Sequence, residues 1–289
     1  MNEKRLFTAM VTPFTEIGEI DFDRLPKLVD HLIETGSEAF VIAGTTGEAP
    51  TLSLDEKIEL AKAVVRHTNG RVPIYAGTGT NATAGSVSAT KELEKTGVDG
   101  IMAVTPYYNK PSQEGMFEHF KAIAASTSLP VMIYNIPGRC VVNLLPDTII
   151  ELASIENITS VKEASGNLEN CAHIIAHTGE DFKVYSGDDS MTLPLLSIGG
   201  DGVVSVAAHL IGTKMEQMID SFFKGEVQRA AQLHRECLPA MQACFSAPNP
   251  SAVKGVMKVR GIIEASTRLP LLPMPIEKAQ ALDNIFPSV

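Results

Sequence analysis

Along the first three quarters of the chain, short apolar segments alternate with longer amphipathic ones. The segments 7–11, 39–43, 73–77, 100–104, 131–135, 158–162, 183–186 and 202–206 each run four or five residues. They are rich in Val, Ile or Tyr and bounded by Gly, Pro, Thr or Asp, the pattern of buried strands. Between them, apolar residues recur at helical spacing. Over 23–34, Leu25, Leu28, Val29, Leu32 and Ile33 share one face. The stretch 54–67 opens after Ser53 and carries Glu56 three residues beyond it, a capping-box signature. Further helices are expected over 83–95, 113–126, 146–153, 168–177, 190–197 and 215–223.

Eight strand–helix repeats leave two common architectures, the doubly wound sheet and the closed barrel. Eight units in roughly 220 residues suit the barrel. From about Glu226 the strand pattern stops, and helices are expected over 226–245, 250–263 and 276–285. The expected fold is α/β: a (β/α)8 TIM barrel over 1–224 with a C-terminal helical region over 225–289.

Composition narrows the function. With 289 residues, 44% hydrophobic and 20% charged, the chain can bury a large core. A net charge of −10 without a basic cluster argues against nucleic acid or anionic membrane as partner. No apolar run suits a bilayer, and the first residues lack the apolar stretch of a signal peptide, so a cytoplasmic protein is expected. Cys140, Cys171, Cys237 and Cys244 show no metal-type spacing and are expected as free thiols.

In a barrel, ligand-handling residues belong at the carboxyl ends of the strands. Those positions are rich in hydroxyls, with one lysine, one arginine and no histidine, a profile for carbonyl chemistry on an anionic substrate. Alternation along 158–162 sets Ile158, Ser160 and Lys162 on one face, so Lys162 is expected to point into the barrel mouth. Burial there lowers the pKa of an ammonium and frees the amine to condense with a ketone. A strand-end lysine reaching solvent along its own stem is the competing reading. Arg139 offers a fork for a carboxylate, or is an ordinary surface arginine. Gly44-Thr45-Thr46-Gly47 is either an anion cradle or a plain strand–helix turn. Tyr108 and Tyr134 could pass protons, although buried tyrosines are usually structural.

Three signals are set aside. Gly77-Thr78-Gly79-Thr80-Asn81-Ala82 has dinucleotide-type spacing, but Asp99 precedes the next strand instead of ending it. His173 and His177 share a helix face without a third ligand. Gly199-Gly200-Asp201-Gly202 has no Lys or Arg beside it for a phosphate.

Taken together, Gly44-Thr45-Thr46-Gly47-Glu48, Thr105-Pro106-Tyr107-Tyr108-Asn109, Tyr134-Asn135-Ile136-Pro137-Gly138-Arg139 and Val161-Lys162-Glu163-Ala164-Ser165-Gly166-Asn167 resemble the dihydrodipicolinate synthase family. That family belongs to the pyruvate-dependent class I aldolases of the N-acetylneuraminate lyase superfamily, and the likeness spans essentially the whole chain. It implies an imine between Lys162 and pyruvate. Thr45, Tyr134 and Tyr108 would relay protons, Tyr108 crossing a subunit interface. Thr46 would hold the pyruvate carboxylate, Arg139 the carboxylate of L-aspartate 4-semialdehyde, and the backbone of Gly187 and Val204 would complete the pocket. It further implies a lyase of lysine and diaminopimelate biosynthesis with no metal or organic cofactor, assembled as a homotetramer (a dimer of dimers). In lysine-inhibited members an effector site lies at the dimer interface, and the positions aligned with it are Ala49, Leu54, Lys57, Asn81, Gly85 and Tyr107. Gly85 supplies no acid for an effector ammonium and Lys57 adds like charge, so weak or absent lysine inhibition is expected. The nearest alternative is an aldolase of the same superfamily acting on a 2-keto-3-deoxy sugar acid or N-acetylneuraminate. A non-catalytic oxoacid-binding paralogue is more remote.

Overall fold

In the computed structural model, eight parallel strands close on themselves in sequence order, the last pairing back onto the first. The structure describes residues 4–286; positions 1–3 and 287–289, at the outer ends of the two expected regions, lie outside it. The strands are β1 (Leu6–Ala9), β2 (Ala39–Ile42), β3 (Ile74–Gly77), β4 (Gly100–Val104), β5 (Val131–Asn135), β6 (Ile158–Glu163), β7 (Lys183–Ser186) and β8 (Gly202–Ser205). Every expected strand is present, with ends shifted by at most two residues. The doubly wound alternative is thereby excluded.

The helices are α1 (Leu25–Glu34), α2 (Leu54–Thr68), α3 (Thr83–Glu94), α4 (Gln113–Ala124), α5 (Pro137–Cys140), α6 (Pro146–Leu152), α7 (Leu168–His177), α8 (Thr192–Leu196) and α9 (Ala208–Phe223), followed by α10 (Val227–Ala243), α11 (Ser251–Val259) and α12 (Ile276–Asp283). The capping box at α2 is formed: Glu56 N donates to Ser53 Oγ at 3.1 Å and Ser53 N donates to a Glu56 carboxylate oxygen at 2.8 Å. Reciprocal capping of this kind satisfies two amides that the helix cannot, which is why α2 starts where its sequence says. Two elements lie outside the expectation. One is the single turn α5. The other is the extension of α9 back to Ala208, across a kink at Ile211. Neither carries a full amphipathic period before the kink, so periodicity could not reveal them.

Alternation along the strands sorts the core into two layers. Phe7, Ala9, Ala39, Val41, Met102, Met132, Tyr134, Tyr185 and Val204 fill the barrel interior. Phe40, Ile42, Ile101, Ile133, Val161 and Val203 face the helices. Leu233, Met241, Val253, Val256 and Met257 of the C-terminal helices belong to this outer layer. Barrel and C-terminal region therefore share one continuous core. All four cysteines are buried free thiols. No helix of the described residues is long and apolar enough to cross a membrane.

Candidate active site

Strand register decides which side chains meet at the barrel mouth. Tyr134 of β5 pairs with Lys162 of β6, and Lys162 with Tyr185 of β7. The interior positions of Tyr134 and Tyr185 fix the same inward direction for Lys162 between them. Lys162 is 5% exposed, which removes the reading of a solvent-reaching strand end. Its Nζ lies 4.2 Å from the centroid of the Tyr134 ring, a cation–π geometry. The stem passes beside Gly187: a Cβ there would come within 3.2 Å of Lys162 Cε and 2.6 Å of Ala164 Cβ. Only a glycine at 187 leaves the lysine its path.

Burial lowers the pKa of Lys162 from 10.5 to about 8; nearby Asp189 pulls it partly back up, and Arg139 adds to the lowering. At pH 7, roughly one amine in ten is then neutral, against roughly one in 3,000 for an unperturbed lysine. Asp189 was not singled out from the sequence. Its carboxylate is buried, accepts from the Ser205 hydroxyl at 2.5 Å and from the amides of Val206 and Ala207 at 3.2 and 3.0 Å, and its pKa is raised by burial. An acidic residue in a strand-end loop is ordinary in sequence; only its burial, close enough for its charge to act on the lysine, marks it.

The loop after β2 brings in the threonines. Thr45, Tyr134 and Arg139 line one cavity of about 400 Å³, together with Gly44, Met102 and Ile136. Lys162 does not line it, but lies against the tyrosine that does. Burial pushes the Tyr134 phenol up to about 12, with Arg139 and the Thr45 side chain acting in the opposite direction, so the phenol keeps its proton at neutral pH. Thr46 is buried and its Oγ1 accepts from Asn249 Nδ2 at 2.9 Å. Arg139 sits exposed on the single turn α5, whose end is marked by Val141 at φ 63°. Val204 is 1% exposed and belongs to the same interior layer as Tyr134.

Of the expected site residues, Thr45, Tyr134 and Arg139 line the cavity, and Lys162, Thr46, Gly187, Val204 and Tyr108 do not. Tyr108 lies in the loop after β4 at φ 75° and is 87% exposed, whereas its neighbour Tyr107 lines the cavity. Within one chain the expected three-hydroxyl relay is incomplete. Of the positions aligned with the effector site, Ala49, Lys57 and Tyr107 open onto the same cavity as Thr45 and Tyr134, while Leu54, Asn81 and Gly85 do not line it.

The signals set aside have structural explanations. Asp99 accepts the amide of Ile74 at 2.8 Å, bracing strand starts. A Cβ on Gly77 would lie 2.2 Å from the Ala43 carbonyl oxygen, so that glycine serves strand packing. His173 meets Asp147 at 3.2 Å on an exposed face.

A closed eight-stranded barrel with a buried, readily neutralised amine at its carboxyl mouth is the frame of an imine-forming lyase of the class I aldolase type. Comparison makes this particular: the profile of the Dihydrodipicolinate synthetase family matches residues 2–288, and the chain belongs to that family. The 4-hydroxy-tetrahydrodipicolinate synthase 1 of Halalkalibacterium halodurans is 56% identical over 283 residues, 98% of this chain and 96% of the relative. The 4-hydroxy-tetrahydrodipicolinate synthase of Bacillus subtilis is 54% identical over 285 residues, 98% of each chain. The crystal structure of a dihydrodipicolinate synthase from Bacillus anthracis superposes with a TM-score of 0.95 at 48% identity, covering 99% of this chain and 98% of that one.

Proposed function

We propose that this chain condenses pyruvate with L-aspartate 4-semialdehyde to form 4-hydroxy-tetrahydrodipicolinate, on the diaminopimelate route to lysine. The observation that carries this reading is the buried amine of Lys162, held against Tyr134 with its pKa brought down to about 8. The neutral amine adds to the pyruvate ketone and water leaves, giving an imine. The imine withdraws electrons, so a methyl proton is lost and an enamine forms. The enamine carbon attacks the aldehyde of the second substrate. Its amino group then closes on the imine carbon, and Lys162 departs as a free amine.

Each neighbouring residue has a place in that sequence. Thr45 and Tyr134 carry protons, joined by Tyr108 from a second copy of the chain, since Tyr108 is exposed here and does not line the cavity. Thr46, with its backbone amide, holds the pyruvate carboxylate. Arg139 takes the carboxylate of the semialdehyde on its guanidinium fork. Gly187 and Val204 wall the pocket. The electron sink is the imine itself, so the reaction requires no metal or organic cofactor. The reading places the enzyme in the cytoplasm as a tetramer built from two tyrosine-exchanging pairs, with the barrel over 1–224 as its catalytic region and 225–289 as its helical extension.

The test is borohydride reduction in the presence of pyruvate, followed by intact mass and peptide mapping. The expected result is a single reduced pyruvate adduct on Lys162. An unmodified protein, or an adduct on another lysine, overturns the reading.

A further inference from the structure

The loop bearing Thr45 and Thr46 is anchored from the opposite end of the sequence. Glu48, two residues beyond Thr46, is 2% exposed and sits at φ 57°. That left-handed conformation is uncommon for a residue with a side chain and persists where surrounding contacts enforce it. The contacts here come from the C-terminal region. Lys254 of α11 donates from Nζ to Glu48 Oε1 at 2.5 Å and to the Ser266 carbonyl at 2.8 Å, and both side chains of the pair have no solvent exposure. The amide of Arg268 donates to the second Glu48 oxygen at 2.9 Å. The Lys254 ammonium also lies 4.3 Å from the centroid of the Phe14 ring.

One further bond from the same region reaches Thr46 directly. Asn249 Nδ2 donates to Thr46 Oγ1 at 2.9 Å. A threonine oxygen that accepts one hydrogen bond keeps its own proton available in another direction. With Asn249 on its oxygen, Thr46 has its proton free to give to another acceptor. A donor is what a carboxylate in the pocket needs.

The geometry points to Glu48, Lys254 and Asn249 as positioning residues for the oxoacid site. The C-terminal region holds the threonine loop through the buried pair and orients the Thr46 hydroxyl towards the pyruvate carboxylate. This rests on the imine reading above, with Thr46 as the carboxylate partner. It assigns the C-terminal helices a part in substrate binding beyond covering the barrel.

Two variants test it, each folded state checked by circular dichroism. Asn249→Leu keeps the volume and removes the donor. The double variant Glu48→Gln with Lys254→Met replaces the ion pair by a neutral pair, a change that buried pairs often tolerate when both partners go together. For each, KM for pyruvate, KM for the semialdehyde, kcat and the pyruvate dependence of borohydride trapping are measured beside the wild type. The expected result is a rise of roughly ten-fold in pyruvate KM, matched by the trapping curve, with semialdehyde KM within about two-fold. A wild-type pyruvate KM in folded Asn249→Leu overturns the orientation role. A wild-type KM in the double variant overturns the anchoring role, and so does a parallel change in the constants for both substrates. If the double variant does not fold, Glu48→Gln alone takes its place, and a wild-type pyruvate KM there overturns the anchoring role. A wild type that yields no adduct overturns the imine reading and the positioning role together.

Discussion

Lys162 and Lys254 are two lysines of one chain, both almost fully buried, and burial brings the pKa of each down to about 8. Their partners differ. Lys254 has a carboxylate at 2.5 Å and a carbonyl at 2.8 Å, so its protons are committed and its charge is matched. Lys162 has the face of Tyr134 and, further off, a carboxylate in Asp189 whose oxygens are already engaged by Ser205, Val206 and Ala207. A buried amine with a dedicated acceptor is a tie. One without it is a nucleophile waiting for a carbonyl. Burial by itself does not make a lysine reactive.

The comparison breaks most readily through Lys162→Met. Turnover should fall on the order of 10⁴-fold or more, because methionine forms no imine. The same variant should be more stable. The unfolded chain holds its ammonium up to pH 10.5, the folded one only up to about 8. Burial therefore costs about 3 kcal/mol below pH 8, a cost that fades as pH rises from 8 to 10.5. Thermal melting near pH 7 should show a gain of several degrees. A loss would mean Lys162 is a structural residue like Lys254.

Tyr134→Phe keeps the ring under the amine and removes the phenol. Imine trapping should persist while kcat falls by about 10² to 10⁴. Equal loss of trapping and turnover would make the tyrosine a support for the lysine instead of a proton carrier. Lys254→Met should have the opposite stability sign from Lys162→Met. It leaves Glu48 buried without its cation and should destabilise by about 3–5 kcal/mol, read by denaturant unfolding. Stabilisation there would erase the distinction between the two lysines.

Two smaller effects sharpen the picture. His119 and His209 are buried, and burial lowers both to about 4. Both are neutral in the folded and unfolded states above pH 6.5. As pH falls from 6.5 towards 4 only the unfolded chain gains their protons, so stability should drop by at most about 3 kcal/mol per histidine. Replacing His209 with glutamine should flatten that acid limb in melting experiments. Finally, lysine added to the turnover assay should inhibit weakly or not at all, because Lys57 and Gly85 present no acid to its ammonium. Clear sub-millimolar inhibition would contradict that expectation.

Much of this was legible before any coordinates. The eight short apolar runs were found as β1 to β8 because a strand buried on both faces is a continuous apolar word between turn residues. Alternation along β6 set Lys162 inward and Val161 outward, as the two core layers have it. The threonine loop and Arg139 are legible as strand-end motifs, and Gly187 only through the family resemblance. Asp189 and Asn249 carry no sequence signal of their roles: one is an ordinary loop acid and the other an ordinary loop amide. Lys254 was passed over altogether, although a lone lysine in the run Ala252-Val253-Lys254-Gly255-Val256-Met257 is itself a signal of a buried charge seeking a partner.

Periodicity and end residues are local properties, and they determined the strands, nearly all the helices and the side of the barrel on which most strand side chains lie. Ile158, expected on the face of Lys162, packs in the outer layer because the β5–β6 register slips between Val131 and Met132. Meetings across the chain are not local. Glu48 and Lys254 are separated by 206 residues and Thr46 and Asn249 by 203; no spacing in the sequence couples them. Barrel closure and the packing of the C-terminal helices bring them together, and a charge without water then takes whatever partner the fold delivers.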